Sequence, residues 1–160
     1  MQKVTILCVG KLKEKFYLDA VAEYSKRLQR HCRLEVLELP EQRLPDAPAQ
    51  GEIDAALERE AAAIREKLPK GCALVAMCIE GQLLSSEDLS RRVMRFSLEG
   101  KSHLVFLIGG SFGLHPSLKS QADLRLSMSP MTFPHHLARV MLLEQLYRAY
   151  QIQEGTRYHK

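Results

Sequence analysis

The chain ends on Tyr158-His159-Lys160, three side chains able to stack on a flat group, carry a proton or meet a phosphate. Chain ends are ordinarily loose, so this one reads either as a frayed polar tail or as part of a reactive site. Upstream, "LSMSPMTFPHH" (126–136) interleaves the small hydroxyls Ser127, Ser129 and Thr132 with Met128, Met131 and Phe133. That mixture describes a pocket with an apolar lining and backbone groups on offer. A strand end capped before a helix would explain Thr132 and Pro134 without a ligand. In "FLIGGSFGL" (106–114), Gly109, Gly110 and Gly113 would let the backbone approach a flat or charged ligand, because no Cβ intervenes. The spacing is not a dinucleotide fingerprint, which would need glycine where Ile108 stands, and no Gly-Lys-Ser/Thr follows to make a phosphate loop. A tight turn is the simplest reading of that glycine pair alone.

Metal chemistry finds little support. The six histidines are spread along the chain, and the adjacent His135 and His136 are expected to point to different sides of a helix. Cys8, Cys32, Cys72 and Cys78 show no C-x-x-C spacing. Small buried thiols in a reducing cytoplasm are the reading that fits them.

The elements that must position these residues follow from hydrophobic period. Short apolar runs predict strands at Val4–Val9, Arg33–Leu39, Ala73–Ile79, His103–Ile108 and Leu124–Ser129. Helical spacing or composition predicts helices at Lys13–Arg30, Ile53–Leu68, from Ser85 to about Gly100, at Pro116–Ala122, and from Pro134 onward. Ser85 and Asp88 are spaced as a capping box, and Pro116 suits a first helical turn. "PEQRLPDAPAQG" (40–51) reads as a mobile loop. Strict alternation of strand and helix predicts one α/β domain over 1–160, with a mostly parallel sheet and helices on both faces. Ligands in such sheets sit beyond the C-terminal strand ends. Those ends are "AMCIEG" (76–81) and the two stretches quoted above.

On the last helix, Leu137, Val140, Leu143, Tyr147 and Tyr150 approximate one apolar face, widened by Met141, Leu142 and Leu146. A band that broad suggests the sheet on one side and a second subunit on the other, or else deep burial of the whole helix. Arg139, Glu144 and Arg148 share that helix, and a solvated polar face is their simplest reading. The composition, 46% hydrophobic and 26% charged, is that of a folded globule, and the net charge of +4 is a mild lean toward polyanions. No apolar run reaches the ~20 residues that cross a bilayer. "MQKVTILCVG" reads as a first strand rather than a signal peptide, so a cytoplasmic protein is expected.

The stretches "VGKLKEKFYLDAVAEYSKRL", "FLIGGSFGLH", "LSMSPMTFPHHLARVMLLEQLYRAY" and the terminal "YHK" together resemble the RlmH family, small members of the SPOUT superfamily of methyltransferases. The resemblance runs over the whole chain. It implies an α/β sheet with a C-terminal trefoil knot, a homodimer, and S-adenosyl-L-methionine as cofactor. It implies methylation of N3 of a pseudouridine in a 23S rRNA stem-loop of the assembled ribosome. Carried onto this sequence, the cofactor loops fall at Met77, at Gly109, and across Met128, Ser129, Pro130, Met131, Thr132 and Phe133. The C-terminal Tyr-His pair falls on Tyr158 and His159. Phe112, where many relatives carry a polar residue, and Arg157, where proline or a small residue is common, depart from the pattern.

Under that resemblance His159 is the candidate base, since an imidazole titrates near pH ~6.5. Tyr158 would stack on or hydrogen-bond a flipped base. Arg139 and Arg148 would hold phosphates or a developing anion, with Glu144 orienting one of them. Two other readings remain: a sister reaction such as ribose methylation on tRNA, and a ribosome-associated binding factor without catalysis.

Overall fold

A computed structural model of residues 1–160 alternates strand and helix without exception. The elements are β1 (Lys3–Val9), α1 (Lys15–Leu28), β2 (Arg33–Leu39), α2 (Gln50–Lys67), β3 (Ala73–Leu83), α3 (Ser86–Leu98), β4 (His103–Ile108), α4 (Pro116–Gln121), β5 (Leu124–Ser127) and α5 (His135–Gln153). The strands form one sheet in the order β2-β1-β4-β3-β5, and every neighbouring pair is parallel. Parallel neighbours cannot be joined by a hairpin, so each connection must cross a face of the sheet, and the helices are those crossings. The α/β sheet with helices on both faces is the one the alternation predicts.

Side chains alternate across the strands and divide the core in two. On one face, Val4, Ile6, Cys8, Val75, Leu104, Phe106 and Leu126 pack with Leu28 of α1, with Leu89, Val93 and Phe96 of α3, and with Leu142, Leu143, Leu146 and Tyr150 of α5. On the other, Leu7, Val9, Leu74, Ala76, Val105 and Leu107 meet Ala61 and Ile64 of α2 and Leu118 of α4. α5 touches both α1 and α3 and fills the space between them. No helix is long and apolar enough to cross a membrane.

Local chemistry explains two of the helix starts. Ser85 caps α3, its hydroxyl accepting from the Asp88 N–H at 3.0 Å. His115 caps α4, accepting from the Ser117 N–H at 3.1 Å, with Pro116 in the first turn. Several boundaries differ from expectation: α1 is two residues shorter at each end, α2 begins at Gln50 rather than Ile53, and the ends of β3 and β5 move. β3 runs on to Leu83 instead of ending at Ile79, because it pairs with β5 twice: Leu126 is opposite Met77 and again opposite Gln82. The intervening Cys78–Gly81 bulges out. β5 stops at Ser127, two residues early, where the chain turns into the loop before α5.

The stretch 40–51 is not the free loop its prolines suggest. The Gln42 N–H donates to the Glu60 carboxylate at 2.9 Å, and Glu41 reaches across to the loop after β4. All four cysteines are free; Cys8 and Cys32 are buried as expected, Cys72 and Cys78 are only half-buried, and burial pushes the Cys8 thiol up to about 12.

Candidate functional site

A cavity of about 700 Å³ opens where β3, β4 and β5 end. Seven of the eight residues expected at the cofactor loops line it: Met77, Gly109, Met128, Ser129, Met131, Thr132 and Phe133. Pro130 is not in the wall. The bulge in β3 adds Cys78 and Ile79, and the start of α5 adds His135 and Ala138. Cys78, Ile79 and His135 fall inside the strand-end stretches picked out from the sequence, though not among the residues expected at the cofactor loops, and only Ala138 lies outside them. The bulge that turns Cys78 and Ile79 to the cavity depends on pairing with a distant strand.

The loops are shaped by their own small residues. The Ser127 hydroxyl donates to the Ser129 carbonyl at 3.0 Å, and the Ser129 hydroxyl accepts from the Met131 N–H at 2.9 Å. Each hydroxyl thus commits one of its hydrogen-bonding roles to the loop, Ser127 its proton and Ser129 a lone pair. After β4, the Gly113 N–H donates to the Gly110 carbonyl at 3.0 Å, with Gly113 at φ +79°. A Cβ on Gly109 would run into the Gly113 carbonyl group, and one on Gly110 would lie 2.5 Å from Glu41 Oε1. The tight-turn reading and the pocket reading of these glycines hold together: the turn closes on itself and presents its backbone to the cavity.

Glu41 clips this turn from outside, its Oε1 accepting from the Ser111 N–H at 2.8 Å. Beside it, His135 and His136 do not diverge as expected. They open α5, with no preceding helical turn to hold them apart, and their rings meet edge-on with centroids 4.1 Å apart. Burial, reinforced by His136, holds the His135 imidazole below the usual histidine range. No group of three or more His, Cys, Asp or Glu side chains is arranged to hold a metal ion.

Four of the five candidate reactive residues gather in one cluster. Glu144 Oε1 accepts from Arg148 Nη2 at 2.6 Å, from Arg148 Nε at 3.1 Å and from the Tyr158 hydroxyl at 3.1 Å. His159 sits between Arg148 Nη1, 3.2 Å from its Nδ1, and Glu87 Oε1, 2.7 Å from its Nε2. A guanidinium only donates, so Nδ1 accepts, and the proton on Nε2 goes to Glu87. The Tyr158 ring stands edge-on to Tyr147 at 4.9 Å, with the Arg148 guanidinium 4.9 Å from its centroid. Burial and the Glu144 charge push the Tyr158 phenol up, so it remains a donor. The tail is thus folded back onto α5 and the first turn of α3.

Arg139 corrects the expectation that it would meet phosphate. Its side chain is 1% exposed and turned toward the ends of β1 and β2, donating to Glu38 Oε2 at 2.6 Å and to the Gly10 carbonyl at 3.2 Å. Burial alone would raise the Glu38 carboxyl, but the Leu12 N–H and the Arg139 guanidinium outweigh it and hold Glu38 below the usual carboxylate range. Arg139 therefore ties three elements together and has no open face for a ligand.

Glu144 also lines a second cavity of about 450 Å³, with Tyr24, Ser86 and Gln145. The two cavities share Leu126, Ser127 and Met128. The end of β5 is therefore the partition between a roomy, largely apolar pocket and the charged cluster at the tail.

Over residues 2–159 the chain matches the family described as predicted SPOUT methyltransferase. It is 44% identical over 158 residues to the ribosomal RNA large subunit methyltransferase H of Acetivibrio thermocellus, covering 99% of each chain. The protein of that name from Bifidobacterium adolescentis is likewise 44% identical over 158 residues, again with 99% of each covered. Among solved structures, a probable methylase family protein from Haemophilus influenzae Rd KW20 superposes with a TM-score of 0.55 at 13% identity, covering 99% of this chain and 71% of that one. That last likeness is one of fold. The family match spans the whole architecture, from β1 through the tail, and on that ground this chain belongs to the SPOUT methyltransferase family.

Proposed function

We propose that this protein is an S-adenosyl-L-methionine-dependent methyltransferase of large-subunit ribosomal RNA, and that its target is N3 of a pseudouridine in the 23S rRNA of the assembled ribosome. The observation that carries this reading is the pairing of the two adjoining cavities, one lined by the β3, β4 and β5 loops and the other bordered by Glu144. The larger cavity suits the cofactor. Its volume falls within the ~300–1,000 Å³ of small-molecule sites, its apolar wall is built chiefly from Met77, Met128, Met131, Ile108 and Phe133, and the Gly109–Gly110 turn has no room for side chains. The names of the relatives support RNA as the substrate.

When bound, the cofactor supplies an electrophilic methyl group. The chain's own residues must hold the acceptor base and take up the proton that its N3 releases. Glu144 fixes Arg148 and Tyr158 through one set of hydrogen bonds, which lets Tyr158 face a flipped base and Arg148 face its developing negative charge. His159 Nδ1 is the proton acceptor in this reading. Its lone pair is held by Arg148, so it must exchange that partner for the base before the proton moves. A charge excess of only +4 favours docking on the assembled particle over capture of a free stem-loop. The homodimer and the C-terminal knot belong to the same proposal. Leu137, Val140 and Met141 of α5 stay half-exposed, leaving an apolar strip for a second subunit. The reaction belongs in the cytoplasm, where assembled ribosomes are.

The deciding experiment incubates the protein with labelled donor and ribosomes from a strain lacking the modification, then maps the labelled nucleotide by mass spectrometry. The expected product is a base-methylated pseudouridine, with poor transfer to isolated RNA. Label on a ribose or on tRNA would point to the sister reaction. Absence of donor binding by calorimetry would leave a ribosome-binding factor without catalysis.

A further inference from the structure

We propose that the groove between the C-terminal ends of α1 and α5 docks the phosphodiester backbone of the RNA strand flanking the target nucleotide. This inference rests on the RNA-methyltransferase reading and adds a surface to it. The groove encloses about 480 Å³ and is lined by Lys26, Arg27, Arg30, His31 and Tyr147, among others. Its two acids are already engaged: Glu23 Oε1 lies 2.9 Å from Arg27 Nε, and Glu154 Oε1 lies 2.7 Å from His31 Nδ1. Lys26 and Arg30 are exposed and make no ion pair, so their charges are free for a polyanion. A favourable interaction with the α1 dipole accounts for basic residues in its last turn. It does not account for Arg30, which lies beyond the end of the helix at Leu28.

The floor of the groove is rigid and leads to the reactive cluster. The His31 side chain is 10% exposed and stacks on Tyr150, with centroids 5.8 Å apart and planes 10° off parallel. Its Nε2 lies 3.2 Å from the Gln151 amide, whose Oε1 accepts from the Thr156 hydroxyl at 2.5 Å. Thr156 in turn accepts from the Tyr158 N–H at 3.4 Å. On the opposite wall, the Arg27 guanidinium sits 5.3 Å from the Tyr24 ring centroid and 5.7 Å from that of Tyr147. Tyr147 touches Tyr158 edge-on. Cations alternating with aromatic faces are the composition of surfaces that track single-stranded nucleic acid. Here they form a track that ends at Tyr158 and Glu144. A strand whose backbone lies along Lys26 and Arg30 is thereby registered so that its next base reaches the second cavity.

Lys26→Ala, Arg30→Ala and the double variant test this, because neither side chain is in the core or in an ion pair. Methyl transfer to ribosomes is measured across a salt series, together with donor affinity by calorimetry and subunit association by sedimentation. The double variant is expected to raise the KM for ribosomes about tenfold while kcat and donor affinity stay at parent values. The slope of log affinity against log salt is expected to fall by about 1.4–1.8, the value for two phosphates no longer neutralised by the protein. Arg30→Lys should restore most of the KM. Parent KM and parent salt slope in the double variant, with the parent enzyme active, overturn the groove and leave the methyltransferase reading standing. A parent that methylates no RNA overturns both. Weakened self-association with unchanged salt slope makes the groove a subunit contact and overturns the inference.

Discussion

Glu144 carries more of the candidate site than any other single side chain, because one of its oxygens serves both Arg148 and Tyr158. Glu144→Gln keeps the shape and removes the charge. We expect single-turnover methyl transfer to fall by about 10²-fold, with donor affinity unchanged, since hydrogen bonds to charged groups are among the stronger ones. For His159→Ala the expected loss is about 10²–10⁴-fold, the usual worth of a positioned base. A variant within a factor of two of the parent would remove the base role and leave His159 a positioning role only. Truncation after Arg157 should abolish transfer while sparing the fold and much of the donor binding, as read by circular dichroism and calorimetry. The sequence pointed to Tyr158 and His159 through family resemblance and to Glu144 and Arg148 as polar residues of the last helix. Of their contacts it suggested the pairing of Glu144 with an arginine, which is Arg148, but not the bonds of Tyr158 or His159. Glu87, which holds the far side of His159, was invisible: it belongs to a helix 72 residues upstream. Arg139 was misread for a different reason. On a helix apolar nearly all round, spacing does not say which polar residue is turned inward, and only the Glu38 carboxylate and the Gly10 carbonyl explain why a guanidinium can be buried there.

At the scale of elements, the loops after β3, β4 and β5 make the donor cavity, and the turn after β4 is held from outside itself. The Glu41–Ser111 contact does this. Glu41→Ala frees the glycine turn and is expected to weaken donor binding about fivefold without lowering the thermal midpoint, because the contact is exposed. Glu41→Gln keeps an acceptor oxygen and should recover most of that loss in the same titration. Gly109→Ala is harsher: the turn must open to seat a methyl group against the Gly113 carbonyl, so donor binding should drop more than tenfold. Element types were legible from hydrophobic period together with composition and helix-start residues, and the ends of β2 and β4 fall where the apolar runs stop. What the period could not carry was non-local. The overrun of β3 depends on a second pairing with Leu126 and Ser127, and the anchoring of 40–42 depends on Glu60 and Ser111. A stretch made mostly of proline and polar residues gives no local hint of such partners.

At the scale of the whole molecule, Arg139 joins the start of α5 to the ends of β1 and β2, far in sequence from each other. Arg139→Ala leaves Glu38 unpaired but about one-third exposed, so the expected cost is about 2–3 kcal/mol, below that of a fully buried pair, read from urea unfolding. Despite burial, the Glu38 carboxyl is held low in the folded state by the Leu12 N–H and the Arg139 guanidinium, so its contribution is complete above the unfolded carboxylate pKa. It is lost as pH falls through the lowered folded value, and the Arg139→Ala variant should lose the guanidinium's share of that acid transition while the Leu12 N–H keeps its own. The placement of α5 between α1 and α3 has a further consequence. A chain grows from its N-terminus, and α5 supplies Leu142, Leu143, Leu146 and Tyr150 to the larger core cluster. Until those residues emerge, the nascent sheet carries an open apolar trench along its middle. A translation product arrested before Leu142 is therefore a substrate for chaperones and proteases, and maturation waits on the final helix.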